Sequence, residues 1–264
     1  MPKLRNNKSS SIKPHVHVPY DSVDRYLQFI KEEKLNLEIY FGSRVFDSVT
    51  KDDITALKNK LDYNPKLSIH APFMDLSPGA VDLKVREVTV KRFLDVLNIA
   101  EMLRPKVVVF HSGYDKWKYD GRVDIWLEGS LETWRLINKR AADMGVRIAI
   151  ENIFEDEPEN LALLVKEMNS KNFGLCFDTG HFNLFSKLPL TEWLEKITPY
   201  IVELHLHDNS RYADHHLAVG DGDFDFATLF KKIKGTDCVY TIEAHTIEDV
   251  KKSMERLKEY LIPH

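Results

Sequence analysis

Residues 147–178 read RIAIENIFEDEPENLALLVKEMNSKNFGLCFD. Two short apolar runs, RIAIEN and FGLCFD, flank an amphipathic helical stretch, the pattern of a strand–helix–strand unit whose strands lie parallel. Ile148, Ile150, Leu175 and Phe177 share one parity within the runs, and Ala149, Gly174 and Cys176 share the other. Because side chains alternate across a strand, the large residues are expected to face covering helices and the small ones a crowded interior. Each run ends in an acid on the small-residue side, Glu151 and Asp178.

The same unit recurs along the chain. PHVHVP, NLEIYF, KLSIHA, KVVVFH, IVELHLH and CVYTIEA bring the strand candidates to eight, with helical stretches such as LKVREVTVKRFLDVLNIAEMLR and TIEDVKKSMERLKEYL between and after them. Eight parallel strands alternating with helices predict a single-domain (β/α)8 TIM barrel, and 264 residues, 43% of them hydrophobic, suffice for one. The barrel domain is placed at residues 14–264, after a basic and flexible N-terminal arm, residues 1–13.

A net charge of -4, with acids and bases interspersed, provides no basic surface for nucleic acid. Two cysteines cannot build a disulfide framework, and no run approaches the ~20 apolar residues that span a bilayer. A cytoplasmic protein with reduced thiols and no membrane partner is expected. Its oligomeric state is not legible.

The strand ends carry the chemistry. On the small-residue parity, the third to eighth strands end at His70, His111, Glu151, Asp178, His205 and Glu243. In a parallel barrel all carboxyl ends lie on one face, so these six converge. A lone strand histidine is more often a hydrogen-bonded core residue, and a lone acid after a strand is often a helix cap. Six in succession are too many for that, since buried carboxylates are costly unless paired or metal-bound. ELHLHDNSRYADHHLAVGDGDF (residues 203–224) adds Asp214 and His216, and His181 follows Asp178 by three residues. His207 is expected further out than His205, and His215 opposite His216. Mixed imidazole and carboxylate ligands suit Zn, Mn, Fe or Co better than Mg or Ca. Trp117, Lys118, Tyr119 and Trp126, in the long segment after the fourth strand, are candidates to stack on and hold a ligand. Arg211 is a candidate phosphate contact.

SIHAPF, VVVFHSG, IAIEN, FDTGH, HLHDN, DHHLAVGDG and TIEA occur in this order. With them the chain resembles the xylose isomerase-like TIM-barrel superfamily, which includes sugar and sugar phosphate isomerases and epimerases and the endonuclease IV relatives. In the epimerase-like members the resemblance implies one divalent metal held by Glu151, Asp178, His205 and Glu243, with Glu151 and Glu243 as the catalytic pair that removes and returns a proton. His181 would then contact the substrate. In the endonuclease IV relatives it implies three ions, so that one to three ions per chain are expected across the two readings: His70, His111 and Glu151 on one, the quartet on the second, and His181, Asp214 and His216 on the third. Phe73 and Met74 stand where those repair enzymes could insert a wedge into DNA. The favoured expectation is a sugar or sugar-phosphate isomerase or epimerase, because no concentration of cations faces a DNA backbone. The alternative is a multinuclear phosphodiesterase acting on abasic DNA.

Overall fold

A computed structural model describes residues 13–261. Eight strands run parallel and close on themselves in sequence order: β1 (His15–Pro19), β2 (Asn36–Tyr40), β3 (Leu67–His70), β4 (Val107–His111), β5 (Arg147–Glu151), β6 (Phe173–Asp178), β7 (Ile201–Leu206) and β8 (Val239–Ile242). Helices follow the strands, among them Leu83–Leu103 after β3 and Ile247–Leu261 after β8. The expected single-domain (β/α)8 barrel is therefore what forms. Of the basic arm only Lys13 lies among the described residues.

The alternation read from the sequence sets the layers. Leu37, Ile39, Ile69, Ile148, Ile150, Leu175 and Phe177 are buried in one large cluster with the helices' apolar faces, while Val107, Val109, Ala149 and Cys176 form a small separate one. Small residues matter where strands crowd. A Cβ on Gly174 would meet the Tyr200 carbonyl oxygen at 2.4 Å and Val202 Cγ1 at 2.7 Å, beside the irregularity where β6 meets β7. The barrel closes unevenly: β1 pairs with β2 along its whole length, but with β8 only at His15↔Thr241 and Val16↔Ile242. Beyond Val16 no backbone pairing joins the first and last strands. No helix among the described residues is long and apolar enough to cross a membrane.

The segment after β4 departs from expectation. A helix begins at Val123, so Trp126 is fully buried and its Nε1 donates to the Ser112 carbonyl at 3.1 Å. Tyr119 is buried as well, and the Lys118 ammonium donates to Ser77 Oγ at 2.8 Å. Trp117 and Lys118 are exposed. Trp126 and Tyr119 are core residues that anchor this segment, and none of the four lines the cavity at the strand ends.

Candidate metal centre

The six strand-end residues meet at the carboxyl end of the barrel. Glu151 is the hub: its Oε2 lies 3.0 Å from His70 Nε2, 3.5 Å from His111 Nε2 and 3.6 Å from His205 Nδ1, and its Oε1 lies 3.1 Å from His181 Nδ1. His205 Nδ1 faces three carboxylates, at 3.3 Å from Glu243 Oε1, 3.6 Å from Glu151 Oε2 and 3.7 Å from Asp178 Oδ2. Ligands about 2.0–2.2 Å from a tetrahedral ion stand about 3.3–3.6 Å from one another. The distances from His205 Nδ1 to the three carboxylates, 3.3 to 3.7 Å, are close to that.

Among the described residues, five trios place their ligand atoms within 4.8 Å of one another; two include Glu38, and three are built from strand-end and loop residues, namely His70, His111 and Glu151; Glu151, Asp178 and His205; and His207, His216 and Glu243. The last corrects the expectation for His207. That residue is fully buried, its Nε2 is 3.1 Å from both Asp178 oxygens, and its ring stacks on His216 with centroids 4.1 Å apart. Gly180 makes room for it, since a Cβ there would sit 2.0 Å from the His207 ring. Asp214 stands 3.6 Å from each of His181, His207 and His216, so it joins the group through several imidazoles. His215 is exposed and Arg211 lines neither of the two cavities at the barrel mouth.

Two functional groups escaped the sequence reading. Glu38 of β2 is fully buried, with Oε2 3.2 Å from His205 Nε2 and Oε1 2.9 Å from His17 Nδ1. His17 of β1 also reaches Glu243 Oε1 at 3.0 Å. Beneath them His15, Ser68, Glu203 and Thr241 form a buried polar layer in which Ser68 and Thr241 donate to Glu203 Oε1. The signal was present: His17 and Glu38 occupy the same inward parity as the strand-end ligands.

The loop after β7 owes its shape to Asp208, which was not singled out in the sequence. Its buried carboxylate accepts from the backbone N–H groups of Asn209, Gly220, Gly222 and Phe224, between 2.9 and 3.1 Å. Asp208 and Leu217 also pair backbone to backbone, folding Asp214 and His216 back over the barrel mouth. Gly222 is required at the turn, because a Cβ would meet the Asn209 carbonyl oxygen at 2.2 Å. Asp178 serves twice: it caps the helix Thr179–Phe185, with Oδ1 accepting from the His181 N–H, and it faces the centre.

Electrostatics fit a cation site. Burial opposes charge on Glu151, yet His111 and His205 hold it well below the ordinary carboxylate range. Burial likewise opposes charge on His205 and His181, yet the surrounding acids hold both well above the ordinary imidazole range. Glu243 and its neighbours lift His216 to about 9 against the pull of burial. The Nδ1 atoms of His181, His205 and His207 are buried without a hydrogen-bond partner although carboxylates surround them. A divalent ion would take these lone pairs and release the imidazole protons. A donor set of histidines and carboxylates fits Zn, Mn, Fe or Co.

The cavity over these groups has a volume of about 400 Å³ and is walled by Tyr40, Phe73, Ile153 and Phe154. Phe73 stacks on His111 with centroids 4.0 Å apart, which makes it a wall of the site, while Met74 next to it is exposed. A family model described as xylose isomerase-like TIM barrel matches residues 37–260. The chain belongs to that family. It is 37% identical to the uncharacterized protein MJ1311 of Methanocaldococcus jannaschii over 208 residues, covering 75% of this chain and 71% of that protein. Among solved structures, a D-tagatose 3-epimerase-like protein matches with a TM-score of 0.80 and 33% identity, covering 94% of this chain and 97% of the other. The TTHB071 protein of Thermus thermophilus, soaked with ZnCl2, matches with a TM-score of 0.79 and 25% identity, covering 94% and 98%.

Proposed function

We propose that this member of the xylose isomerase-like family is a metal-dependent isomerase or epimerase of a small, unphosphorylated sugar. One observation carries the reading: Glu151 and Glu243 line a single cavity of about 400 Å³, and both lie within 3.6 Å of His205 Nδ1. That volume is in the range of small-molecule sites. Neither this cavity nor its neighbour is lined by a lysine or arginine, the usual partners of a substrate phosphate. The similarity to a D-tagatose 3-epimerase-like protein points the same way.

Glu151, Asp178, His205 and Glu243 would hold the ion, which supplies Lewis-acid polarisation of the sugar carbonyl and its neighbouring hydroxyl. The imidazoles keep Glu151 and Glu243 ionised despite burial, the form that proton abstraction requires. One carboxylate removes the proton alpha to the carbonyl, and the other returns a proton to the reacting carbon. Tyr40 and Phe73 offer apolar faces against which the sugar ring or chain packs.

A second reading, phosphodiester hydrolysis at an abasic site, draws on the sharing of ligands. Glu151 belongs to two of the three strand-end and loop trios, and Glu243 belongs to the third while also facing His205 Nδ1, as a multinuclear centre requires. Against it, no lysine or arginine lines the cavity over these groups to meet a DNA backbone.

The test is incubation of the metal-loaded protein with a ketose panel in D2O, followed by NMR. Exchange of a carbon-bound proton, abolished by Glu243→Gln, is expected. Chelator-sensitive incision of a duplex with one abasic site, without exchange on any sugar, would overturn the proposal in favour of hydrolysis.

A further inference from the structure

A second cavity, of about 340 Å³, adjoins the first and shares His17, Tyr40, His216 and Glu243 with it. It exists because β1 and β8 part company beyond Val16, leaving the outward side of β1 incompletely covered by the helices Val23–Glu32 and Ile247–Leu261. Away from the shared rim its walls are apolar, including Val16, Val18, Phe29, Leu37, Ile247 and Val250. Its polar lining consists of Ser22, Tyr26, His245 and Thr246 beside the shared residues, and no lysine, arginine or acid other than Glu243 lines it. One wall of the compartment is thus an acid of the metal-type centre, and the others suit hydrocarbon.

We propose that the substrate carries an alkyl or aryl substituent of roughly ten non-hydrogen atoms, which lodges in this compartment while its hydroxylated part lies against Glu243 and His17. The inference rests on the strand-end cavity being the reaction site. It narrows the substrate class from free monosaccharides to sugars bearing an apolar group. Burial of that group would stabilise the complex through the hydrophobic effect and fix which carbon of the sugar faces Glu243.

The experiment compares binding of methyl and hexyl β-D-glucoside to the intact chain by calorimetry. Each buried methylene strengthens binding about fourfold, so with incomplete burial the hexyl compound is expected to bind about a hundredfold more tightly. Ile247→Trp, at a partly exposed position that lines the compartment, should remove that gain and leave the methyl compound's affinity unchanged. A photoreactive diazirine at the tip of the alkyl chain makes the outcome independent of how any variant folds. Labelling of residues 16–30 or 247–250 supports the assignment. Affinities within threefold of each other, a gain that survives Ile247→Trp, or labelling elsewhere would overturn it. The two proposals fail separately: alkyl-dependent binding without proton exchange sinks the proposed reaction, and exchange without alkyl dependence sinks the compartment.

Discussion

Replacing Glu38 by glutamine should cost the centre most of its metal affinity while leaving every first ligand in place. Glu38 is fully buried and holds two imidazoles, accepting from His205 Nε2 at 3.2 Å and His17 Nδ1 at 2.9 Å. With Nε2 donating to Glu38, the Nδ1 lone pair of His205 points at Glu151, Asp178 and Glu243. A carboxylate in this position fixes the ring's tautomer and orientation and raises its basicity, and losing it typically weakens metal binding tenfold to a hundredfold, about 1.4–2.7 kcal/mol. Glu38→Gln keeps the volume, but its amide can turn a donor toward His205. Its single acceptor oxygen can serve only one of the two imidazoles, and in either orientation the other meets an N–H donor, so a loss within that range is expected. Zinc affinity measured by competition with a chromogenic chelator at pH 7, alongside thermal melts of the metal-free proteins, provides the assay. An affinity within threefold of wild type in a variant that melts normally would refute the reasoning and reverse the roles assigned to the two His205 nitrogens.

Asp208→Asn replaces an acceptor of four backbone N–H groups by one with a single acceptor oxygen, and should destabilise the chain by about 3 kcal/mol in urea unfolding. Amide hydrogen exchange should quicken across residues 209–224; unchanged protection there would show that the loop holds itself. Gly180→Ala should displace the His207 ring, which its Cβ would otherwise meet at 2.0 Å, and with it the Asp178 carboxylate that His207 Nε2 contacts at 3.1 Å, weakening metal binding; an unchanged affinity would contradict this. Burial, followed by a smaller opposing pull from Glu38, brings His15 from 6.5 down to about 4. The unfolded chain therefore takes up this proton first as pH falls, so about 3 kcal/mol of stability present above pH 6.5 is lost on the way to pH 4, and His15→Gln should flatten that part of the profile in chemical denaturation. Metal binding should release protons from His181 and His205, so calorimetry in buffers of different ionisation enthalpy should show affinity falling steeply with acid; a pH-independent affinity would exclude imidazole ligation.

The barrel was legible because one rule operates throughout it: large residues alternate with small ones, and turns and helices separate the runs. The convergence of the strand-end residues was legible for the same reason, since His70, His111, Glu151, Asp178, His205 and Glu243 each close a run on its inward parity. Glu38 and His17 obey the rule but lie one layer deeper or on a strand otherwise rich in histidine. Their depth relative to Glu243 and His205 depends on the stagger of strands around the barrel, which no single run encodes. His207, beyond the end of β7, was expected behind the ligands or at the surface; the folded loop and the bare Cα of Gly180 enclose it against Asp178 and His216. Asp208 reads as an ordinary loop acid until the chain returns at Gly220, Gly222 and Phe224 to donate to it. Trp126 was read as part of a loop because the glycine and charged residues before it hide where the helix starts.

The central claim is that β5 to β8 bring Glu151, Asp178, His205 and Glu243 around one divalent ion. Elemental analysis of the purified chain, before and after dialysis against Zn, Mn, Fe or Co, tests it most directly, with His205→Ala as the partner variant. At least one tightly held equivalent per chain, lost in His205→Ala, is the predicted result. A wild-type chain that takes up none of the four metals, or a His205→Ala variant that binds as much as wild type, would contradict it.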